Sequence, residues 1–352
     1  MKRFVKLLSI GLMSMSLFAC GNENVDSTEK EKVVNVYMPS PAGLQTKLKE
    51  GFEAKYKNIT MQVTSGTTGE LLAKIEAEKN DPICDVLILA SWSDGLNNLS
   101  KLNLLSYVPV GSENISNAFK EESNKIYGTS ASAVGVIYNT DRVKKDEIEK
   151  LDWSDFTDEE KIKTITTNGK TPTMSIPDPT KSGAAKDFFA GMMTSQFANE
   201  DLSSEDSEAY NIIKGWKANG LTNGGGNKTV IANVEGSELD VLLAGVDYNA
   251  YADKQKGKHV DIYFPKGGTV INARPAMILK DGSHNEEAKL VMDYLCSDDA
   301  QQLVSNAYLI PGNTSLNAKR PTNVNQFSNM DWNIMANKGT TIAQTIQSIL
   351  KK

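Results

Sequence analysis

Short apolar runs alternate along this chain with stretches in which apolar residues recur at helical spacing. Val33-Val34-Asn35-Val36-Tyr37 reads as a strand, and Leu44, Leu48, Phe52 and Ala54 then mark a helix over 42–56. A second strand over 59–63 is followed by a helix through Leu71, Leu72, Ile75 and Ala77. Asp85-Val86-Leu87-Ile88-Leu89 is apolar on both faces, as expected of a strand covered on both sides. A further set follows: strands over 133–138, 174–176, 260–264 and 276–279, an apolar segment from 241, and helices over 184–193, 210–219 and 286–303. Strand–helix alternation of this kind predicts mostly parallel sheets flanked by helices, and the length suits two such α/β lobes. Gly, Ser and Thr replace the apolar runs near 128–134 and 265–273, where the chain is expected to cross between lobes.

The first twenty residues follow a different pattern. Lys2, Arg3 and Lys6 precede an apolar run over 7–18 that is too short to span a bilayer, and it ends in Leu17-Phe18-Ala19-Cys20. This reads as a signal peptide over 1–19 with a lipobox, so that Cys20 becomes the lipidated first residue. The polar segment after it, to residue 32, reads as a flexible spacer. The expected location is therefore outside the cytoplasm, tethered to the bacterial cell membrane.

Composition narrows the function. Hydrophobic residues make up 39% of the 352 and charged residues 23%, enough for a packed core. The formal net charge of -6, without a basic patch, gives no support to nucleic-acid binding. Only two histidines occur, His259 and His284, both in polar turn-like sequence, so neither a zinc site nor a Ser-His-Asp triad is supported. No nucleophile elbow is present either, which argues against an extracellular phosphatase, and no feature supports an adhesin. Cys84 and Cys296 can pair outside the cell or remain buried thiols. No cofactor or metal is called for, and a monomer is expected.

The local feature that repeats is a strand, a short loop of hydroxyl residues and glycine, then a helix. It occurs at 37–43 with Ser40, at 65–69 with Thr67 and Thr68, at 91–95 with Ser91, and at 177–184 with Ser182, Gly183 and Ala184. Such loops lie at the carboxyl ends of parallel strands, where ligand crevices form. A helix N-terminus carries unpaired N–H groups and roughly half a positive charge, so several together would make an anion site. Each loop alone is equally a helix cap. Arg274, after the glycine-rich crossing, could grip a phosphate in bidentate fashion.

The order lipobox, VNVY, SGTTGELLAKIEAE, CDVLI, GVIYNTD, DPTKSGAA and AGVDYNAYADKQKG resembles the bacterial extracellular solute-binding proteins of ABC importers. It is most similar to the type II cluster that contains ferric-ion, 2-aminoethylphosphonate and sugar-phosphate binders, and it spans most of 33–311. The resemblance implies a two-lobed type II periplasmic-binding-protein-like fold with the ligand cleft between lobes. Lobe 1 is expected over 33–128 plus about 270–310, lobe 2 over 129–269 plus about 311–352. It also implies a membrane permease as partner. Ferric binders of the cluster use adjacent tyrosines, whereas this chain has Asp247-Tyr248. The helix start Ser182-Gly183-Ala184 keeps the family's anion-binding pattern. The expected cargo is thus a small phosphonate or phosphate ester, held by these loops with Asp247, Tyr248 and Arg274; ferric iron, a polyamine or thiamine are the alternatives.

Overall fold

The computed structural model describes residues 32–319 and 324–352. The leader, Cys20 and most of the spacer lie outside the described residues. The chain opens with β1 (Lys32–Met38), α1 (Ala42–Lys55), β2 (Ile59–Ser65), α2 (Thr68–Ala77), β3 (Val86–Ile88) and α3 (Trp92–Asn98), in the order the apolar pattern predicts. β1 runs parallel to both β2 and β3. All three residues of β3 are buried, which explains its unbroken apolar run.

β4 (Tyr127–Asn139) is 13 residues long and buried throughout. The small residues over 128–134, where the sequence places a crossing between lobes, lie inside this one strand. They also pack tightly: a Cβ on Gly128 would sit 2.8 Å from Cβ of Phe119. The chain continues through α4 (Lys145–Ile148), α5 (Glu159–Ile165), β5 (Met174–Ile176), α6 (Gly183–Phe197) and α7 (Asn211–Ala218). Then come β6 (Thr222–Asn223), α8 (Asn227–Glu235), β7 (Val241–Val246), α9 (Asp247–Gln255) and β8 (Val260–Tyr263). β9 (Ile271–Ile278), α10 (Asn285–Cys296), α11 (Asp298–Asn306), β10 (Ile310–Pro311) and α12 (Trp332–Lys351) complete it. The helix expected over 286–303 is two helices. Ser297 ends the first in an extended conformation, and its hydroxyl accepts the N–H of Ala300 to cap the second.

The sheet order is β2-β1-β3-β9-β4-β7-β5-β6, with β8 and β10 also paired to β4. β5 is parallel to β6 and β7. β4, in contrast, is antiparallel to each of its partners β7, β8, β9 and β10, so the sheet is mixed at its centre and parallel on its flanks. The first half of β4 pairs with β9 through Ala133↔Ile271, and the second half pairs with β7 from Val134↔Val246. One continuous strand is thus shared by the two lobes.

Each lobe has apolar layers on both faces of its part of the sheet. In the first, Val34, Val36, Leu48, Phe52, Val291 and Leu295 form one layer, and Tyr37, Leu71, Leu87, Trp92 and Met277 the other. In the second, Trp153, Phe188, Phe189, Trp216 and Ile346 pack together, opposite Val230, Ile231, Leu242 and Ile262. Cys84 and Cys296 are both buried free thiols. Burial pushes the Cys296 thiol up to about 12, which leaves it protonated and unreactive at neutral pH.

Candidate functional site

Most of the hydroxyl residues at the helix starts serve the helices themselves. Thr67 is the N-cap of α2: its hydroxyl accepts the Glu70 N–H while the Glu70 carboxylate accepts the Thr67 N–H. Hydrogen bonding to its carboxylate from the Thr67 backbone, then from the Thr67 side chain, holds the Glu70 carboxyl below the usual range. Thr68 is buried, and its hydroxyl accepts the Ala90 N–H at 3.0 Å, tying the α2 start to the loop before α3. Ser182 caps α6 through the Ala185 N–H. Ser40 is half-buried, and its carbonyl accepts a hydrogen bond from the Gln45 side chain at 2.7 Å.

Asp247 is fully buried, and its carboxylate accepts the N–H groups of Ala133 and Tyr248, each at 2.6 Å. It therefore fastens the start of α9 to the point where β4 passes between lobes. Each carboxylate oxygen thus already accepts one backbone donor, which fixes the orientation of the group.

Arg274 behaves differently. It is only 1% exposed, on β9 beside the β4 crossing. One guanidinium nitrogen donates to the Pro39 carbonyl at 2.7 Å, and the group lies 5.7 Å from the centre of the Tyr248 ring. Among the described residues no carboxylate pairs with it, and its Nε has no partner. Two other buried polar atoms without partners belong to this neighbourhood, Ser132 Oγ and Asn227 Nδ2. Ser132 precedes Ala133, whose N–H binds Asp247; Asn227 starts α8, and its Oδ1 accepts the Val246 N–H at 3.3 Å. Arg274 through its contact with Tyr248, Ser132 through its neighbour Ala133 and Asn227 through Val246 thus each adjoin the Asp247-Tyr248 turn with a polar atom left unpaired. A buried cation and donors left unpaired carry a desolvation cost unless an acceptor-rich partner relieves it. An oxyanion is such a partner.

The sequence singles out Arg274 and Tyr248 but not Ser132 or Asn227. Asn227 ends the run Asn223-Gly224-Gly225-Gly226-Asn227, a glycine-rich helix start of the kind recognised elsewhere in the chain. Ser132 had no such signal within a strand of small residues. Asn272 was missed as well; it accepts the Trp92 N–H at 3.0 Å and donates to the Ala90 carbonyl at 2.8 Å, pinning the α3 start to β9.

The starts of α2, α3 and α6 meet. A Cβ on Gly183 would lie 2.7 Å from Thr68 Oγ1 and 2.8 Å from Ser91 Cβ, so only glycine allows this approach. The Gly69 N–H donates to the Lys181 carbonyl at 3.3 Å. Beside this contact is a cavity of about 480 Å³ between α2, α3, α6 and α12, with Asp94, Lys101, Lys181 and Lys186 in its walls. Tyr251 on α9 and Tyr308 after α11 stack with ring centres 6.4 Å apart.

Comparison with known proteins decides the family. The model of the bacterial extracellular solute-binding proteins matches residues 81–338, most of the chain. The chain belongs to this family. It is 27% identical over 305 residues to an uncharacterized protein of Haemophilus influenzae, covering 84% of this chain and 80% of that one. Among solved structures, this solute-binding protein is similar to the periplasmic binding protein AfuA from Actinobacillus pleuropneumoniae, with exogenous fructose-6-phosphate bound. That match has a TM-score of 0.72, 22% identity, and covers 91% and 97% of the two chains. It is also similar to iron-bound HitA from Pseudomonas aeruginosa, with a TM-score of 0.71, 18% identity and coverage of 90% and 99%. These likenesses show the two-lobed periplasmic-binding-protein fold, and the family match places the chain among the bacterial extracellular solute-binding proteins. Among the described residues no helix is long and apolar enough to cross a membrane.

Proposed function

We propose that this chain captures a small organic phosphate or phosphonate, of the 2-aminoethylphosphonate or sugar-phosphate kind, and hands it to an ABC permease. The observation that carries the reading is Arg274, a buried guanidinium without a carboxylate partner among the described residues, together with the unpartnered donors Ser132 and Asn227 next to the same turn. A tetrahedral oxyanion offers several acceptor oxygens and negative charge, so it satisfies all three at once, and charge-assisted bonds are the stronger kind. AfuA, which binds fructose-6-phosphate, has the same fold and supports the reading. Ferric iron is served less well. The guanidinium beside the Tyr248 ring repels a trivalent cation, and Asp247 already accepts two backbone N–H groups.

In this reading 33–128 with 270–310 forms one lobe and 129–269 with 311–352 the other. β4 and the approach to β9 act as the hinge. Ligand contacts from both sides stabilise the closed form that the permease recognises. Cys20 carries the lipid that keeps the monomer at the membrane surface. Calorimetric titration with 2-aminoethylphosphonate, hexose phosphates and ferric citrate tests the cargo. Saturable binding of a phosphonate or phosphate ester is expected; tight ferric binding with a phenolate charge-transfer band overturns the proposal.

A further inference from the structure

Ser91, which the sequence offers to a ligand, is already hydrogen-bonded to a carboxyl of the protein's own. Its hydroxyl donates to Oδ1 of Asp187 at 2.9 Å. The Ser93 hydroxyl donates to the same oxygen, and the Ser93 N–H approaches Oδ2 at 3.4 Å. Ser91 and Ser93 stand at the start of α3 in the first lobe, whereas Asp187 is on α6 in the second. Asp187 and Ser91 are both fully buried. Next to them Lys186 of α6 forms an ion pair with Asp94 of α3, also across the lobes. From the structure we infer that the buried Asp187 carboxyl latches the two lobes together through the α3 hydroxyls, and holds best when it is protonated. The latch takes this loop out of ligand binding and leaves the grip on the cargo to the hinge and the second lobe.

The inference rests on the two-lobed closing motion proposed above, and it adds a proton dependence. Burial pushes the Asp187 carboxyl up to about 7, and the charge of Asp94 adds to this; Ser93, Lys186 and Ser91 oppose it. The other charged groups around the adjacent cavity are Lys101 after α3 and Lys181 before α6, while α12 contributes Thr340, Ala343, Gln344 and Gln347, all uncharged. When the lobes part, Asp187 faces water and returns towards the ordinary carboxylate range of about 4. The closed form therefore binds a proton that the open form releases. Closure is favoured at low pH and weakens as pH rises towards 7, by about tenfold per unit, then levels off where both forms are ionised.

Small-angle scattering of the protein without added solute tests this, between about pH 5 and about pH 8. The radius of gyration of the native protein is expected to increase over this range, corresponding to a fall of roughly a hundredfold in the closure constant. Asp187→Asn, neutral at every pH, is expected to stay compact throughout. A pH-independent native radius, or an unchanged pH response in Asp187→Asn, overturns the latch. Should that variant fail to fold by circular dichroism, Ser93→Ala replaces it; it is expected to be more expanded than the native protein at the higher pH, and an unchanged radius overturns the latch. Adding inorganic phosphate in separate samples probes the anion site through compaction, so failure of the cargo reading shows apart from failure of the latch.

Discussion

An arginine that is buried, lacks a carboxylate partner and has an unpaired Nε is costly to a protein that never binds an anion. Arg274 is therefore the residue at which affinity should be most sensitive. Arg274→Gln is expected to weaken binding of the phosphorylated solute by about 1.5–3 kcal/mol, roughly ten- to a hundredfold in Kd by calorimetry. Arg274→Lys keeps the charge but not the planar fork and should recover only part of the loss. Equal affinity in all three proteins would remove Arg274 from the site. Thr67, Thr68 and Ser182 give the opposite lesson. Each has the residue type of an anion loop, yet the hydroxyl of each accepts a backbone N–H. Residue type at a helix start identifies a donor or acceptor, and its partner is set by which chain segments come within hydrogen-bonding reach.

Among the elements, α6 shows how local and tertiary demands diverge. Alanine at Gly183 would favour the helix by about 1 kcal/mol on propensity alone. Its Cβ, however, would press on Thr68 Oγ1 and Ser91 Cβ at 2.7 and 2.8 Å, both from the other lobe. Gly183→Ala is thus expected to leave the melting temperature unchanged or slightly raised while expanding the protein in solution scattering and weakening ligand affinity. A compact variant with native affinity would show that the helix starts do not need this close approach. The strands illustrate a related point. β3 and β5 were legible because apolar runs sit between turn residues, whereas β4 was legible only in its second half. Beyond Tyr127 and Thr129 its first half is Gly, Ser and Ala, which lack the branched or aromatic side chains typical of strands, and it is held by pairing with β9 on one side. α8 and α12 went unread from sequence: α8 follows three glycines that look like loop, and α12 is separated from the preceding strand β10 by a long polar stretch.

For the whole molecule, acid sensitivity follows from how the second lobe is fastened. Asp240 precedes β7, and its carboxylate accepts the Thr173 N–H at 2.8 Å and the Thr173 hydroxyl at 2.9 Å while pairing with Arg142. Burial alone would raise its pKa, but Arg142 and Thr173 outweigh burial and hold the carboxyl below the usual range. A depressed native pKa means stability that is present above the unfolded value of about 3.9 and lost as pH falls through the native one. Urea unfolding should show the native protein losing stability between about pH 5 and about pH 3, and Asp240→Asn losing less over the same interval. An identical loss in both would exclude Asp240 as a source. The sign is opposite to that of Asp187, whose raised carboxyl favours closure at low pH; one group fastens a lobe and the other joins the two.

The sequence by itself determined the class of this protein. Apolar periodicity sets strands and helices through neighbours a few residues apart, and the order of the motifs carries the family. It also supplied Arg274 and Tyr248, because a lone arginine beside a glycine-rich crossing and a tyrosine among polar residues stand out against their surroundings. What only the tertiary structure decided is which polar side chains remain available. Ser91 and Asp187 are separated by 96 positions, as Trp92 and Asn272 are by 180, and each pair forms only when two lobes and a shared strand bring the segments together. Hydrogen bonding between residues so far apart depends on a packing that no local pattern encodes, and that packing left single atoms of Arg274, Ser132 and Asn227 without partners while giving Asp247 and the capping hydroxyls backbone N–H groups to accept.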